Sequence, residues 1–382
     1  MARRMLGLAA GVVAGVVMLT ASADAAVWQV APSASPNPYK NFLTAVARVP
    51  GTSQFWAAGY TLDQAGPAHS LIETSSGAGF SVSPIPRMGR FEQLLGVAAA
   101  SPAHAWAVGG SFVHASLPLI FVWDGSAWRR TPAPLPSGAA GATLMSVRAF
   151  SATDVTAVGE WFSATATGGP LIEHWDGHMW TASRAPNPSG CQGAFTSVAA
   201  VPGSPVRFAV GYCAGADSTS DQALIERSSG SRWSIVRANA PAGSALQSVT
   251  PVSATAVWAV GSTTDPTGAK HTLAERWNGS QWAVVPTPDP SANDWLQSVV
   301  RVPGTQTLWA VGSAIAGGTT VGIAEQWTGS AWQTVPPVQP GDASSLQGVA
   351  AAPGAVWAVG DAFPTAPGSG PITQTLAELT AG

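Results

Sequence analysis

The stretch LQSVTPVSATAVWAVGSTTDPTGAKHTLAERWNGSQWAVVPTPDP, residues 246–290, contains four short apolar runs separated by turn residues. The runs are rich in Val, Leu and Trp and are bounded by Gly or Pro, which is the pattern of β-strands. Asn278 and Gly279, between the third and fourth runs, favour a tight hairpin. The stretch therefore predicts four consecutive antiparallel strands.

The same four-part phrase recurs along the chain. Its second run ends in a glycine that recurs every 48–52 residues, at Gly59, Gly109, Gly159, Gly211, Gly261, Gly312 and Gly360. Four strands per repeat, apolar on both faces, are typical of a propeller blade, because stacking the blades around an axis buries both faces. The sequence therefore predicts an all-β fold, a seven-bladed β-propeller of four-stranded blades.

The two ends of the chain are permuted relative to this repeat. The seventh repeat ends with TLAELTAG at Gly382 and has no fourth run, whereas VWQV at residues 27–30 has the sequence of one. We expect residues 27–30 to pair with residues 376–379 and to close the ring, with Trp28 in the position of Trp282 and Trp332. Closure would leave no sheet edge open. An open or linear β array is the alternative, but such an array has no need for permuted ends.

The repeat resembles that of secreted bacterial kelch-like propellers. Its WDGxxW corner, as at residues 123–128 and 175–180, resembles a shortened Asp-box turn of sialidase-type propellers. The resemblance covers the whole mature chain and implies a propeller, a fold that hosts enzymes, lectin-like modules and scaffolds. Galactose oxidase is similar in architecture, but Tyr39, Tyr60 and Tyr212 with Cys213 show no motif for its copper site. We therefore expect no cofactor.

The first 25 residues have the features of a signal peptide. Arg3 and Arg4 precede an apolar run at residues 5–19, and small residues at A-x-A spacing follow. We expect cleavage after Ala25 or Ala23 and a single propeller domain over residues 26–382, either secreted or in the cell envelope. An uncleaved N-terminal anchor is the alternative.

The composition excludes several classes of partner. Charged residues make up only 10% of the chain, and the net charge is −3, which gives nucleic acid or an anionic membrane no electrostatic attraction. No later stretch is long and apolar enough to span a membrane, so we expect no insertion after signal cleavage. We expect a monomer.

One acidic position is periodic. A glutamate recurs in the third run, and only the second repeat differs, with Phe121 at that place: Glu73, Glu173, Glu226, Glu275, Glu325 and Glu378. A catalytic carboxylate acts at one site, so six copies favour a structural role. We expect these side chains to accept hydrogen bonds from a neighbouring blade, either from its backbone or from an indole N–H.

Binding is expected where the repeat is broken. In a propeller, the loops after the second strands and the connections between blades share one face. The non-periodic aromatic residues lie in those segments, and we select six of them as candidate binding residues: Tyr60, Phe112, Trp161, Phe162, Tyr212 and Trp295. They could stack on sugar rings or apolar ligands, or they could shield the blade ends from water. The sequence leaves both interpretations open.

The same loops carry histidines and acids without a recognisable catalytic or metal-binding pattern. His69, His114 and His271 follow no ligand spacing, so we expect no metal. Seven loop acids could supply a pair for glycoside cleavage, although no spacing selects one: Asp63, Glu160, Asp217, Asp221, Asp265, Asp294 and Asp361. We therefore predict a secreted, non-catalytic binding or scaffold module for glycan or protein. A glycan-active hydrolase or lyase and a purely structural envelope component are the alternatives.

The two cysteines flank the first two strands of the fourth repeat. Cys191 precedes the first strand, and Cys213 ends the second. If Val201 pairs with Arg207, residue 195 lies opposite Cys213 and Cys191 is within reach along the connecting segment. Because export permits oxidation, we predict a disulfide between Cys191 and Cys213. Two free buried thiols are the alternative.

Overall fold

The computed structural model describes residues 26–381, except residues 76, 78, 87, 88, 90, 113–115, 166, 190 and 365–372. The predicted signal peptide and His114 lie outside the described residues. The described residues form 28 strands and no helix, and the strands make seven four-stranded antiparallel sheets. The predicted seven-bladed propeller is confirmed.

Each blade is built from the inside outward. Blade 1 comprises β2 (Lys40–Arg48), β3 (Phe55–Leu62), β4 (Ala68–Ser75) and β5 (Phe80–Val82). Blade 2 comprises β6 (Glu92–Ser101), β7 (His104–Ser111), β8 (Leu117–Trp123) and β9 (Trp128–Thr131). Blade 3 comprises β10 (Gly141–Ser151), β11 (Asp154–Phe162), β12 (Gly168–Trp175) and β13 (Trp180–Arg184). Blade 4 comprises β14 (Gln192–Ala200), β15 (Arg207–Ala214), β16 (Gln222–Ser229) and β17 (Arg232–Ile235).

The remaining blades follow the same order, except that the last one takes its outer strand from the start of the chain. Blade 5 comprises β18 (Ser244–Ser253), β19 (Ala256–Thr264), β20 (Lys270–Trp277) and β21 (Trp282–Val285). Blade 6 comprises β22 (Asp294–Arg301), β23 (Leu308–Ala316), β24 (Thr319–Trp327) and β25 (Trp332–Thr334). Blade 7 comprises β26 (Ala343–Ala352), β27 (Ala355–Phe363), β28 (Gln374–Thr380) and β1 (Gln29–Ala31).

The ring closes as predicted. β1 pairs with β28, with Gln29 opposite Leu379 and Val30 opposite Glu378. Trp28, just before β1, is only 3% exposed and meets Trp309 of blade 6 edge-on, with ring centroids 5.1 Å apart. The first strand of the chain, β1, therefore completes the sheet that β26, β27 and β28 form.

Aromatic rings connect neighbouring blades. An aromatic residue at the outer strand packs on an aromatic residue of the second strand in the preceding blade, in edge-on contacts of 5.1–5.7 Å: Trp28 on Trp309, Phe80 on Trp357, Trp128 on Trp56, Trp282 on Phe208 and Trp332 on Trp258. Such contacts stabilise by roughly 0.5–1.5 kcal/mol beyond burial. The periodic tryptophans are therefore core residues that hold the blades together.

The contact between blades 3 and 4 has a polar replacement. Blade 3 has Thr156 where the second strands of blades 1 and 2 carry Trp. Arg207 of blade 4 donates to the Thr156 hydroxyl at 2.6 Å and to both carboxylate oxygens of Asp154 at 2.6–2.7 Å. Its guanidinium also lies over the ring of Phe150, 4.2 Å from the ring centroid. A charge-assisted contact thus takes the place of an aromatic pair.

The glycine of the repeated phrase is required by a close approach. Each inner strand has a bulge, as between Leu43 and Ala45 and between Leu246 and Ser248. A Cβ on Gly59 would lie 2.0 Å from the Phe42 carbonyl oxygen, and one on Gly261 would lie 2.0 Å from the Ala245 carbonyl oxygen. A side chain at this point would therefore push the second strand away from the inner strand.

The hairpin corners are confirmed in part. Trp123 lies opposite Trp128, and Gly125 has a φ of 92°, as the sequence predicts. Asp124 does not share the positive φ, however. Its carboxylate instead accepts hydrogen bonds from the Ser126 and Ala127 backbone N–H groups at 2.9 Å, so the acid organises the turn through its side chain.

The periodic glutamates are buried, and three of them accept hydrogen bonds from the preceding blade. Glu275 accepts from the Asn239 backbone N–H at 2.6 Å, and Glu378 accepts from that of Val338 at 3.0 Å. Glu73 accepts from the Ser33 hydroxyl at 2.9 Å and from the Ala34 backbone. The expected backbone donors are therefore present for these three, whereas no indole donates to them.

The linkers before the other three glutamates have proline at the donor position. The backbone donors Ala34, Asn239 and Val338 lie six residues after Trp28, Trp233 and Trp332. Six residues after Trp128, Trp180 and Trp282 the chain has proline, which carries no N–H: Pro134, Pro186 and Pro288. The glutamates of the following blades have no hydrogen-bond partner on either carboxylate oxygen: Glu173, Glu226 and Glu325. The presence of a donor in the linker thus decides whether the buried acid is paired.

The inner strands surround a central channel. It has a volume of about 540 Å³ and is lined by residues of all seven blades. The bulged residues of blades 5, 6 and 7 bring glutamine amides to it, namely Gln247, Gln297 and Gln347. The channel is therefore a polar passage through the centre of the ring.

Candidate functional site

The loop face consists of the second-to-third-strand loops and the connections between blades. All six candidate binding residues lie on it: Tyr60, Phe112, Trp161, Phe162, Tyr212 and Trp295. They belong to blades 1, 2, 3, 3, 4 and 6, so the fold distributes them around the ring and does not gather them at one point. A binding surface must therefore be sought among local groups on this face.

Several of these aromatic rings are covered by other side chains. Tyr60 stacks on Phe42 with ring centroids 4.9 Å apart, and burial raises the pKa of Tyr60. The Arg184 guanidinium lies 4.0 Å from the ring centroid of Trp161. These contacts favour the interpretation that Tyr60 and Trp161 shield their blade ends. Arg184 escaped the sequence reasoning, although it occupies a position where blades 1 and 2 have Pro84 and Pro132.

An exposed apolar group lies on blade 2. Phe91, Phe112 and Leu117 expose 38%, 41% and 44% of their surface, and we call these three residues the blade 2 patch. The Phe112 backbone N–H donates to the Phe91 carbonyl oxygen at 2.9 Å, and Leu117 pairs with Ser111, next to Phe112. Apolar side chains that remain in water at one place are typical of interaction sites.

The backbone at Phe91 is strained. Its φ is 63°, and it is the only non-glycine residue with a positive φ among the residues that the structure describes. This conformation is rare for a bulky side chain and persists only where the surroundings impose it, commonly at functional sites. Sequence reasoning missed Phe91 and Leu117. The sequence did contain a signal for Phe91. Blade 1 has Lys40 and blade 5 has Gly243 at the same repeat position, so a bulky apolar residue there departs from the repeat.

Most loop acids hold turns. Asp294 is fully buried and accepts hydrogen bonds from the Ser291 backbone N–H at 2.7 Å and from the Ser291 hydroxyl. Asp217 accepts from Thr219 at 2.6 Å, and hydrogen bonds from Thr267 and its neighbours lower the pKa of Asp265 to about 2. These carboxylates are engaged in local structure.

Two loop acids have a raised pKa through burial, Asp361, which accepts a hydrogen bond from Ser345, and Glu160. Glu160 is half-buried at the end of β11, and burial raises its pKa. The carboxylates of Glu160 and Asp221 raise the pKa of Tyr212, whose burial makes the larger contribution. Blades 3 and 4 thus bring a carboxyl of raised pKa near a phenol on the loop face.

The histidines of this face pair with acids. His69 lies 3.0 Å from Asp63, and His271 contacts both Asp289 and Asp265. Hydrogen bonds to these two carboxylates raise the pKa of His271. Over the described part of the chain, no group of three or more His, Cys, Asp or Glu side chains is arranged to hold a metal ion.

The predicted disulfide is confirmed. Cys191 and Cys213 are bonded, with Cα atoms 5.3 Å apart. The register assumed for it was wrong, because Arg207 pairs with Ala200 and a bulge at Thr196 shifts the pairing again. Gly193 therefore lies opposite Cys213, which places Cys191 two residues from that position. The bond ties the connection before blade 4 to the end of its second strand.

Removing this bond should destabilise blade 4. Closing a loop of this length contributes about 3 kcal/mol, so we expect Cys191→Ser/Cys213→Ser to lower the free energy of unfolding by about that amount. Urea unfolding measured with and without reductant tests the prediction. Reductant should lower the midpoint of the wild type and leave the double variant unchanged. Equal midpoints for the wild type and the double variant in the absence of reductant would contradict it.

Comparisons with known proteins show the fold. No family model matches the chain, and no curated protein matches it. A protein of unknown function from Dyadobacter fermentans superimposes with a TM-score of 0.56 at 10% identity, over 94% of this chain and 98% of that one. A chain of a mitotic checkpoint complex gives 0.53 at 13% identity, over 98% of each chain.

A sialidase is also similar in fold. The Trypanosoma rangeli sialidase, solved in complex with 2,3-difluorosialic acid as a covalent intermediate, gives a TM-score of 0.51 at 10% identity. The match covers 90% of this chain and 54% of the sialidase chain. At such identities the similarity shows the propeller architecture alone.

Within the described residues, no helix is long and apolar enough to cross a membrane.

Proposed function

We propose that this protein is an exported, non-catalytic binding module that recognises a glycan through the blade 2 patch. The observation that carries the proposal is the exposure of Phe91 and Phe112 beside each other on the loop face, where Phe91 has a strained backbone with a positive φ. Flat aromatic rings suit stacking on the apolar faces of sugar rings. A sialidase solved with a sialic acid derivative has the same propeller architecture, so a glycan ligand is compatible with this fold.

The test is retention on a glycan array by wild type and ring-deletion variants. Phe112→Ala removes one exposed ring, and Phe91→Gly removes the other while relieving the positive φ. We expect each change to weaken retention about tenfold, since burying a Phe side chain contributes about 1.5–3 kcal/mol and a tenfold change requires about 1.4 kcal/mol. Phe363→Ala is the matched control, because Phe363 is another exposed aromatic residue, on blade 7.

The outcome separates three cases. Selective retention that Phe112→Ala and Phe91→Gly abolish, with Phe363→Ala unaffected, supports the proposal. Retention that survives both changes refutes the assignment to the blade 2 patch. No retention of any glycan, combined with capture of a protein from the cell envelope, replaces the glycan by a protein partner.

Export and a monomeric state belong to the same proposal. A disulfide is compatible with an extracellular protein because oxidising compartments preserve such bonds. Cleavage after Ala25 or Ala23 would leave a mature protein that begins next to the closing strand. The mass of the protein recovered outside the cell, and its size by light scattering, test these two statements.

A glycan-active hydrolase or lyase is the second candidate, and Glu160 is the residue that favours it. A carboxyl of raised pKa can act as a general acid, and Tyr212 lies near both Glu160 and Asp221. Substrate screening with Glu160→Gln tests this candidate. If the variant keeps its turnover, Glu160 is not required for the reaction. Asp294 is a weaker candidate because its carboxylate accepts hydrogen bonds from Ser291 in a turn.

A further inference from the structure

The central channel carries positive charge that its own walls do not balance. Arg48, Arg148 and Arg301 are among the residues that line it, and the lining contains no Asp or Glu. At the position of Arg148, blade 2 has Ala98. Arg48 and Arg301 are one position further along their strands, where blade 7 has Ala351. The three arginines are thus local departures from the repeat.

Arg148 has no partner in the fold. It lies on β10, the inner strand of blade 3, where it is opposite Thr156 of β11. Arg148 lines the channel and its side chain is accessible there, while the surrounding protein lowers the pKa of the guanidinium by desolvation. No hydrogen bond or ion pair engages its guanidinium within the described structure. A full set of donors is therefore available to a ligand in the channel.

The other two arginines are anchored near the same end of the channel. Arg48 donates through Nε to the Thr52 carbonyl oxygen at 3.3 Å. Arg301 donates through Nε to the Thr305 carbonyl oxygen at 2.7 Å and through Nη1 to that of Val252 at 3.1 Å. Carbonyl oxygens fix these guanidinium groups without neutralising them, so both contribute charge to this end.

We propose that the channel binds a small molecule that carries a carboxylate or phosphate group, with Arg148 as the partner of the oxyanion. A guanidinium pairs with either group through two parallel N–H···O bonds, and a channel lined by charge of one sign strengthens that attraction relative to open water. The volume of about 540 Å³ lies within the range of small-molecule sites. The glutamine amides of blades 5, 6 and 7 supply donors and acceptors for the remainder of such a ligand.

This site is independent of the proposed function. The three arginines follow the inner-strand bulges and approach the turns that lead into the second strands, such as the turn at Thr52. The loop face lies at the opposite ends of these strands. Loss of the blade 2 patch should therefore leave the channel unaffected.

The experiment is calorimetric titration at low salt with inorganic phosphate, citrate and glucuronate, and with glucose as the uncharged counterpart of glucuronate. We expect saturable binding of at least one oxyanion and none of glucose. Arg148→Met should weaken that binding at least tenfold. Arg232→Met, which removes the same charge from the exposed outer strand β17, should leave it unchanged.

The results decide as follows. Binding that Arg148→Met weakens and Arg232→Met does not supports the proposal, and the probe that binds tells phosphate from carboxylate. Absence of saturable binding by all three oxyanions, or equal affinities in wild type and Arg148→Met, overturns it. Arg148→Lys keeps the charge and loses the paired donors, so an intermediate affinity is expected even if Arg148→Met folds poorly. Phe112→Ala should bind the same oxyanion as the wild type, whether or not the protein recognises a glycan.

Discussion

Replacing Trp28 by alanine should lower the free energy of unfolding by about 3–5 kcal/mol, the loss expected when a large aromatic side chain leaves a core. Trp28 is 3% exposed, packs edge-on against Trp309 and belongs to the same apolar cluster as Leu346 and Val349. It also anchors a strand of only three residues, β1, which has no other apolar side chain buried to this extent. The single residue therefore holds the closing strand in place.

Urea unfolding measures this loss, and amide hydrogen exchange locates it. The Trp28→Ala variant should lose protection along β28, because the amides that face β1 are no longer covered. Val27→Ala is the matched control, since Val27 is the preceding residue and is 68% exposed. A Trp28→Ala midpoint equal to that of Val27→Ala would show that the closing strand contributes little to stability.

Raising the pH from about 5 to about 8 should destabilise the protein. Burial raises the pKa values of Glu173, Glu226 and Glu325 from 4.5 to about 8, because no donor compensates for the lost water. The native state thus holds protons that the unfolded chain releases above about pH 4.5. The stabilisation is complete below that pH and is lost as the pH rises through about 8. One pKa unit corresponds to about 1.4 kcal/mol, so three such groups make the effect large.

The linker prolines offer a sharp test of this mechanism. Pro134→Ala should place a backbone N–H where Ala34, Asn239 and Val338 have theirs, and so pair Glu173. We expect the variant to be more stable than wild type near pH 8, with a smaller difference near pH 5. The glutamates that already have a backbone donor support this expectation, since the pKa values of Glu73 and Glu378 rise only to about 7.

Two further variants control for other effects of the change. Pro132→Ala removes a proline from the same linker, two residues earlier, and should show only the entropic cost of roughly 0.4–1 kcal/mol at every pH. Glu173→Gln keeps the shape and cannot ionise, so it should flatten the pH dependence of the thermal midpoint. Equal pH profiles for Pro134→Ala and Pro132→Ala, or a wild-type midpoint that does not fall with pH, would contradict the mechanism.

The architecture could be predicted from the sequence because the same strand pattern recurs in seven repeats. The recurrent glycine reports a constraint that every blade shares, and the W-x-G-x-x-W corner reports one that blades 2, 3, 5 and 6 share. The displaced Trp28 shows where the missing strand of blade 7 lies. The pairing of Cys191 with Cys213 was predictable for the same reason. The repeat shows that one cysteine precedes the first strand of blade 4 and that the other ends its second strand, so both lie at the same end of one hairpin. Its register was not, because a bulge such as that at Thr196 adds a residue without changing the apolar pattern.

The candidate sites were harder to predict because they depend on single departures from the repeat. The positive φ of Phe91 and the contact between Trp161 and Arg184 arise only once the blades are packed. Arg148 looks like an ordinary strand residue in the sequence, and only the ring shows that it lies in a channel. The aromatic residues chosen from the sequence were on the expected face, but composition could not show which rings remain uncovered.

The closing pair has a mechanical consequence. β1 and β28 are antiparallel, so the chain enters the pair at Gln29 beside the place where it leaves at Leu379. A force that pulls the two ends apart would load the backbone hydrogen bonds one after another, as in opening a zipper, and would not load them all together. The pair should therefore open at a lower force when it is pulled through the termini than when it is pulled along the strands, and a tether through the termini would open blade 7 first.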